Sequence, residues 1–181
     1  MMALYSGRAI RFHENEELRA IGRTAAGVRG VSLDGDDDRV IGMLAINDNR
    51  SNILIVSENG YGKRSLLEDY RITHRGGKGV STIKITEKTG NLIAIKAVTD
   101  DDDLMIINRS GIAIRLHVDQ LRILGRNTQG VRLIDLRGKD TIAAVCEVPR
   151  QEEEEEEFND ETTIENVDSQ NLNETPETES E

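Results

Sequence analysis

Residues 70–80 read Y-R-I-T-H-R-G-G-K-G-V, and this stretch decides the fold because its pattern recurs along the chain. Residues 18–28 read L-R-A-I-G-R-T-A-A-G-V, and residues 121–131 read L-R-I-L-G-R-N-T-Q-G-V. The glycines that close the pattern are spaced by 52 and 51 residues: Gly27, Gly79 and Gly130. A fixed period of this length indicates a repeat architecture, so the chain contains three copies of one unit.

The sequence of each copy predicts a set of short strands. A Ser-Gly or Asn-Gly pair, typical of a tight hairpin turn, opens the stretches at 6–11, 59–64 and 110–115. Apolar, β-branched runs that predict strands are I-L-I-V at 53–56, V-S-T-I-K-I-T at 80–86 and L-M-I-I at 104–107. Alternation in the second run predicts Ile83 and Ile85 on one face and Thr82 and Lys84 on the other. About four strands in roughly 50 residues is the size of a propeller blade, so we expect an all-β fold.

The chain divides into four predicted segments. We expect blades at 1–46, 47–98 and 99–149, followed by a disordered acidic tail at 150–181. Residues 151–181 hold 14 acidic and no basic side chains, which leaves 20 acidic against 23 basic in residues 1–150. A segment with so few apolar residues cannot offset the entropy of ordering. Closed propellers need about four to eight blades, so three copies predict the C-terminal part of a longer toroid.

Cations recur at fixed phases of the repeat. Stacked repeats bring equivalent positions onto one rim, so these cations predict a basic stripe. The recurring sets are Arg11, Arg64 and Arg115; Arg19, Arg71 and Arg122; and Arg23, Arg75 and Arg126. Acidic clusters fall elsewhere, at 34–38 and 100–103, so we expect rim and acidic loops of opposite sign. A basic stripe without interleaved aromatics suits the phosphates of duplex DNA better than stacked single strands.

The stretch T-H-R-G-G-K-G at 73–79 has the composition of a phosphate cradle. Its glycines would let backbone N–H groups approach a phosphate, and Arg75 and Lys78 would supply positive charge. It is not a Walker A loop, since Lys78 is followed by Gly79 rather than Ser or Thr. A glycine-rich turn with incidental charge is the alternative interpretation.

Taken together, G-Y-G-K-R, Y-R-x-x-x-R-G-G-K-G-V and G-R-x-x-x-G-V-R closely resemble the C-terminal domain of the DNA gyrase A protein, over residues 1–150. The resemblance implies a β-pinwheel, a propeller-like ring of about six blades that exchange strands, of which three would lie here. It also implies non-specific wrapping of duplex DNA around the basic rim, which supports negative supercoiling. The family's signature heptad is Q-K/R-R-G-G-K/R-G. Here Thr73 and His74 replace its first two residues, so the loop would be a later-blade relative of that heptad.

The resemblance further implies partners and location. It implies double-stranded DNA, a heterotetramer with the gyrase B protein, a cytoplasmic, nucleoid-associated site and no membrane. The parent complex would use ATP and Mg²⁺ elsewhere, with no cofactor in this chain. The predicted DNA-binding residues are Arg8, Arg11, Arg19, Arg23, Arg29, Lys63, Arg64, Arg71, Arg75, Gly76, Gly77, Lys78, Gly79, Arg115, Arg122, Arg126 and Arg132.

We assign no catalytic residue and no metal ligand from the sequence. The three tyrosines fall in predicted blade strands or loops, and the histidines lack Cys or carboxylate partners at metal-ligand spacing. We expect residues 100–103 to form a solvated, mutually repelling turn, and Cys146 to be a small buried side chain. Two alternatives stay open: a DNA-bending domain of the topoisomerase IV type, and a propeller whose rim cations bind an acidic protein. An enzyme on a face of the toroid is weaker, because no catalytic set converges.

Overall fold

The computed structural model describes residues 1–46 and 52–150, so the predicted acidic tail and the first blade boundary lie outside the described residues. Within those ranges the regular secondary structure is almost entirely β, which confirms the predicted fold class. Its one short helix, α1, spans Glu14–Glu17, and 3-10 turns span Leu67–Asp69 and Val118–Gln120. The strands are β1 Met2–Leu4, β2 Arg8–Ile10, β3 Val40–Met43, β4 Asn52–Ser57, β5 Tyr61–Leu66, β6 Val80–Ser81, β7 Leu92–Val98, β8 Asp102–Asn108, β9 Ala113–His117, β10 Val131–Arg132 and β11 Ile142–Pro149.

These strands form three antiparallel sheets, one for each copy of the repeat. Their orders are β3-β1-β2-β6, β7-β4-β5-β10 and β11-β8-β9. The fourth strand of the first two sheets comes from the following copy, and its register repeats: Ala9 pairs with Val80 as Gly62 pairs with Val131. The copies are therefore joined by exchanged strands. The blade boundaries at 46/47 and 98/99 stay a prediction from the repeats in the sequence.

The predicted hairpin turns are confirmed. Gly60 and Gly111, which follow Asn59 and Ser110, have φ of 79° and 87°, a left-handed conformation that glycine adopts without strain. The turns link β4 to β5 and β8 to β9, which pair as antiparallel hairpins.

The predicted strand at 80–86 is wrong beyond its second residue. After Ser81 the chain leaves the sheet edge, because the Thr82 amide donates to the Gly7 carbonyl oxygen at 2.9 Å. Thr82 is fully buried while Lys84 is exposed, so the two do not share a face as alternation predicted. Ile85 instead lies over the preceding hairpin turn, where a Cβ on Gly7 would come within 2.7 Å of its Cγ1. The segment covers the turn of the previous copy.

The core lies between neighbouring sheets. On β4, Ile53 and Ile55 belong to the apolar cluster shared with the first sheet, while Leu54 and Val56 belong to the cluster shared with the third. Both faces of this strand are buried, and truncating such a side chain to Ala would cost about 2–5 kcal/mol. Cys146 on β11 is exposed, so the prediction that it is buried is wrong. Among the described residues, no helix is long and apolar enough to cross a membrane.

Candidate functional site

The loops at 71–79 and 122–130 dock on the hairpin of the preceding copy. Gly79 and Gly130 have φ of 70° and 79°. A Cβ on Gly79 would lie 2.3 Å from the Ala9 carbonyl oxygen, and one on Gly130 would lie 2.4 Å from that of Gly62. The recurring glycine is therefore dictated by close backbone approach between copies.

The first recurring set of cations binds the next copy of the repeat. The Arg11 guanidinium donates to the carbonyl oxygens of Leu67 and Tyr70, at 3.1 and 3.2 Å. Arg64 does the same one copy later, to the carbonyl oxygens of Leu121 and Asp119, and also pairs with Asp100. Each guanidinium thus binds one carbonyl group within a 3-10 turn and one on the residue that follows the turn.

Arg115, the third member of this set, is held within its own sheet. Its Nε lies 2.7 Å from an Asp103 carboxylate oxygen, and its guanidinium also donates to the Pro149 carbonyl oxygen at 3.4 Å. The structure therefore gives this recurring set internal partners, where the sequence predicted contacts to DNA.

The set that includes Arg75 reaches back to the preceding copy. Arg75 donates to the carbonyl oxygens of Glu17 at 2.9 Å and Arg29 at 3.1 Å. Arg126 donates to the Ser81 carbonyl oxygen at 2.7 Å, and Ser81 occupies the position of Arg29 one copy later. Both are partly buried connectors between copies, whereas Arg23, their counterpart in the first copy, is exposed.

Lys63 has no solvent exposure, which a phosphate-binding lysine would need. Its ammonium donates to the carbonyl oxygens of Gly125 and Arg126, both at 2.5 Å, and to Thr128 Oγ1 at 3.0 Å. Burial, and secondly the charge of Arg126, lowers the pKa of Lys63 to about 8. Its role is to hold the loop at 122–130 against β5.

Arg8 serves the equivalent loop one copy earlier. It donates to the carbonyl oxygens of Lys78 and Gly79, both at 2.9 Å. The prediction placed Arg8 and Lys63 on a DNA-binding rim, but their charged groups are satisfied by backbone oxygens of the loop they support.

The remaining recurring set faces solvent. Arg19, Arg71 and Arg122 occupy one phase of the repeat, and all three are exposed. We call them the arginine row. Since the other two sets are largely engaged between copies, the arginine row is the part of the predicted stripe that keeps its charge available in every copy.

Three other predicted cations also lie at the surface. Two of them pair with an aspartate, and the backbone of the third accepts a hydrogen bond. The Lys78 side chain is 68% exposed, with its Nζ 3.9 Å from an Asp34 oxygen. Arg132 is bound to Asp135 at 2.7 Å. Arg29 is exposed, and its carbonyl oxygen accepts the bond from Arg75. The Asp34 contact contradicts the expected separation of acidic loops from the basic rim.

The glycines at 76–77 are used within the protein. The Gly76 amide donates to the Gly30 carbonyl oxygen at 2.7 Å, and Ser32 donates to the carbonyl oxygens of Gly76 and Gly77. The Gly76 amide is thus bound to the first copy, which favours a docked turn over a phosphate cradle. His74 is 96% exposed and binds a Glu17 carboxylate oxygen at 2.5 Å, which lowers the pKa of that carboxyl.

The prediction of a solvated, repelling turn at 100–103 is wrong for its last residue. Asp103 is fully buried, with one carboxylate oxygen 2.7 Å from His117 Nδ1 and the other 2.7 Å from Arg115 Nε. The hydrogen bond from His117, followed by that from Arg115, keeps the pKa of the Asp103 carboxyl low against the effect of burial. Hydrogen bonds from β9 therefore stabilise the charged form of this buried acid, and Arg115 supplies an opposite charge.

Two exposed lysines were missed by the sequence prediction. Lys88 and Lys139 line a depression beside Tyr61, together with Arg132. The Arg132 hydrogen bond to the phenol, and the charges of Arg132 and Lys88, lower the pKa of Tyr61. Each lysine stands nine residues after the glycine that closes the repeated pattern, and this shared phase is the signal that could have found them.

Comparisons with known proteins agree with this architecture. Residues 6–47, 51–99 and 102–146 match the family described as DNA gyrase C-terminal domain, beta-propeller. The DNA gyrase A protein of Chlamydia pneumoniae is 42% identical over 156 residues, which are 86% of this chain and 18% of the relative. That of Staphylococcus aureus strain MRSA252 is 44% identical over 157 residues, with 86% and 18% covered. The chain thus spans under a fifth of the length of these relatives.

Solved structures share the fold. A DNA gyrase A C-terminal domain superposes with a TM-score of 0.68 and 25% identity, over 81% of this chain and 49% of that one. A C-terminal domain of DNA topoisomerase IV gives a TM-score of 0.75 at 21% identity, over 82% and 46%. Since the family match covers all three copies of the repeat, the chain belongs to the DNA gyrase A C-terminal domain family, with the β-pinwheel architecture that the sequence predicted.

Proposed function

We propose that this chain is a sequence-tolerant, duplex-DNA-binding module of a gyrase. The observation that carries the proposal is the arginine row, Arg19, Arg71 and Arg122, exposed at one phase of three stacked units. Because equivalent positions of stacked repeats lie along one continuous surface, we expect these guanidinium groups to follow one path, as a phosphate backbone requires. Each can fork onto two phosphate oxygens, which gives affinity without reading base edges.

The connecting arginines contribute indirectly. Arg75 and Arg126 bind backbone carbonyl oxygens of the preceding copy, and Lys63 fixes the loop that follows Arg122. These contacts set the positions of the loops that carry the arginine row. Loss of a connector should therefore disturb the spacing of the row as well as the stability of the domain.

The finer proposal is that the module wraps duplex DNA and so supports negative supercoiling. The relatives that are 42–44% identical to this chain are DNA gyrase A proteins, which supports wrapping over simple bending. Assembly with the gyrase B protein, use of ATP and Mg²⁺ elsewhere in that complex, and a cytoplasmic, nucleoid-associated location are part of the same proposal.

Fluorescence anisotropy with a labelled duplex tests the DNA-binding proposal. Reversing the arginine row (R19E/R71E/R122E) should remove three phosphate contacts, so the log–log salt slope should become shallower by about 2.7, at about 0.9 per contact. Arg71→Glu should weaken binding more than Arg109→Glu, an exposed charge reversal outside the recurring phases. An unchanged salt slope in the triple variant would refute the role of the row.

Wrapping needs a separate measurement. Ligation of nicked plasmid in the presence of the protein should shift the linking number with one sign. DNA binding without any shift in linking number would support the DNA-binding proposal but favour bending of the topoisomerase IV type over wrapping. A polyglutamate peptide that binds as tightly as duplex DNA would favour the protein-interaction alternative.

A further inference from the structure

The depression beside Tyr61 gathers three cations at the junction between the second and third copies. It is lined by Lys88 from the second copy and by Arg132 and Lys139 from the third. All three cations are exposed, whereas Tyr61 on β5 is 8% exposed. Both sides of this junction are present in the chain, so the depression is built entirely from described residues.

The phenol ring of Tyr61 is the centre of this cluster. The Lys88 ammonium lies 5.3 Å from the ring centroid, and the Arg132 guanidinium lies 5.9 Å from it. Arg132 also donates to the phenol oxygen at 3.4 Å. Two cations close to one ring repel each other, so the arrangement favours an anion between them.

The carboxylates of the depression leave the two lysines uncompensated. Asp135 pairs with Arg132 at 2.7 Å, and an Asp140 oxygen accepts the Thr141 amide at 2.9 Å. In the described part of the chain, neither Lys88 nor Lys139 has a carboxylate within ion-pair distance. The depression therefore holds positive charge that its own acids do not neutralise.

Both turns that carry the lysines are fixed to the same hairpin. The side-chain amide of Asn59 donates to the carbonyl oxygens of Glu87 and Lys88, at 3.1 and 3.3 Å. The Ile142 amide, just after the turn that carries Lys139, donates to the Glu58 carbonyl oxygen at 3.0 Å. The backbone of each lysine is thus held in place without a ligand, which lowers the entropy lost on binding.

The repeat does not require this cluster. The residue after the hairpin glycine is Tyr61 in the second copy, but Arg8 in the first and Ile112 in the third. Nine residues after the closing glycine, the first copy has Asp36 instead of a lysine. A feature of one junction alone is better explained by binding than by the packing that all copies share.

The depression also lies apart from the arginine row. Along β5, the residue after Arg122 bridges Arg64, whereas Arg132 pairs with Tyr61. These two positions on β5 are separated by about 10 Å, at about 3.3 Å per residue. Neighbouring phosphates on one DNA strand follow each other at about 3.4 Å along the helix axis. A phosphate in the depression is therefore a different one from that bound by Arg122.

We propose that Lys88, Lys139 and Arg132 bind a phosphate group beside the Tyr61 phenol, at a site separate from the arginine row. The ammonium groups and the guanidinium donate to phosphate oxygens, and the phenol hydroxyl can donate as well. A phosphodiester of duplex DNA and a free phosphate ion present the same kind of oxygen. For the DNA source, the inference rests on the proposed function.

NMR of the full chain with ring-labelled tyrosine tests the site with inorganic phosphate alone. Tyr61→Phe identifies the Tyr61 signal by its loss. At an ionic strength held constant with chloride, phosphate should move this signal until it saturates. The shift should disappear in K88Q/K139Q. It should persist in Lys84→Gln, the matched control, because Lys84 is an exposed lysine outside the depression.

A short DNA duplex replaces phosphate in the second arm of the experiment. If the bound group is a backbone phosphate, the duplex should move the Tyr61 signal. The log–log salt slope of duplex binding should then become shallower by about 1.8 in K88Q/K139Q, for two contacts at about 0.9 each. A shift with phosphate but not with the duplex would support the site and assign it to a free phosphate.

The two arms separate failure of this site from failure of the proposed function. A Tyr61 signal that moves with neither phosphate nor duplex, or that moves equally in K88Q/K139Q, would overturn the phosphate site. A parent protein that does not bind the duplex at all would contradict the proposed function, and the phosphate arm alone would then decide the site. Circular dichroism should show that K88Q/K139Q folds, since both lysines are exposed.

Discussion

The glycine that closes the repeated pattern provides a direct test of the strand exchange. Gly130 has φ of 79°, and a Cβ built on it would lie 2.4 Å from the Gly62 carbonyl oxygen. Gly138, in the same copy, has φ of 63° but nothing within 4 Å of its Cβ position. Gly130→Ala and Gly138→Ala therefore share backbone strain, and only the first adds a clash between copies.

The expected destabilisation follows from these two contributions. An alanine in the left-handed region costs about 1–2 kcal/mol, which is the whole effect expected for Gly138→Ala. At Gly130 the new Cβ must move by about 0.6 Å to reach even 3.0 Å from the oxygen. That shift displaces β10 and weakens its pairing with Gly62 and the bond from Leu133 to Gly60, at about 1 kcal/mol each. Gly130→Ala should thus lose about 3–4 kcal/mol.

Urea unfolding followed by circular dichroism measures the difference. All proteins should be compared at one low concentration, so that association does not contribute to the apparent stability. The reasoning requires Gly130→Ala to be less stable than Gly138→Ala by more than about 1 kcal/mol, half of the expected hydrogen-bond loss. Equal free energies of unfolding would refute the close approach between copies.

Two further predictions concern Lys63 and the acidic segment. The pKa of Lys63 is lowered from 10.5 to about 8 in the folded state, so between these pH values the unfolded chain binds more protons. The free energy of unfolding of the parent should therefore rise relative to that of Lys63→Met from pH 8 to 10. If the difference between the two proteins stays constant over this range, the pKa of Lys63 is not lowered by burial. Removing residues 151–181 should tighten binding to duplex DNA at low salt, because their acidic side chains compete with phosphates at high effective concentration. Unchanged anisotropy titrations would reject that competition.

Much of the fold could be predicted because its signals are local. The Asn-Gly and Ser-Gly turns specify hairpins through the conformation of two residues, and I-L-I-V at 53–56 lies within β4 as expected. The prediction of a strand at 80–86 was wrong beyond Ser81 because the path of the chain there depends on Gly7, which is far away in sequence. The Gly7 carbonyl oxygen accepts hydrogen bonds from the amides of Thr82 and Ile83. A pattern of alternation cannot report where a distant hairpin withdraws a segment from a sheet.

The candidate site shows the same division. Arg64 and Arg71 are seven residues apart and both recur in every copy, so the sequence treats them alike. In the structure Arg64 is buried against the next copy, with its guanidinium on carbonyl oxygens, while Arg71 is exposed. Likewise the buried Asp103 is bound by His117 and Arg115, which come from the neighbouring strand.

The sequence by itself determined the repeat, its all-β character and the phases at which glycine and arginine recur, because these are properties of spacing along one chain. Only the tertiary structure decided which arginines hold the copies together and which face solvent. That choice depends on carbonyl groups at the ends of the 3-10 turns and on backbone atoms about 50 residues away, as with Arg11 and Leu67. In T-H-R-G-G-K-G, the charge pattern suggested a cradle, but docking against Gly30 and Ser32 makes it a junction between copies.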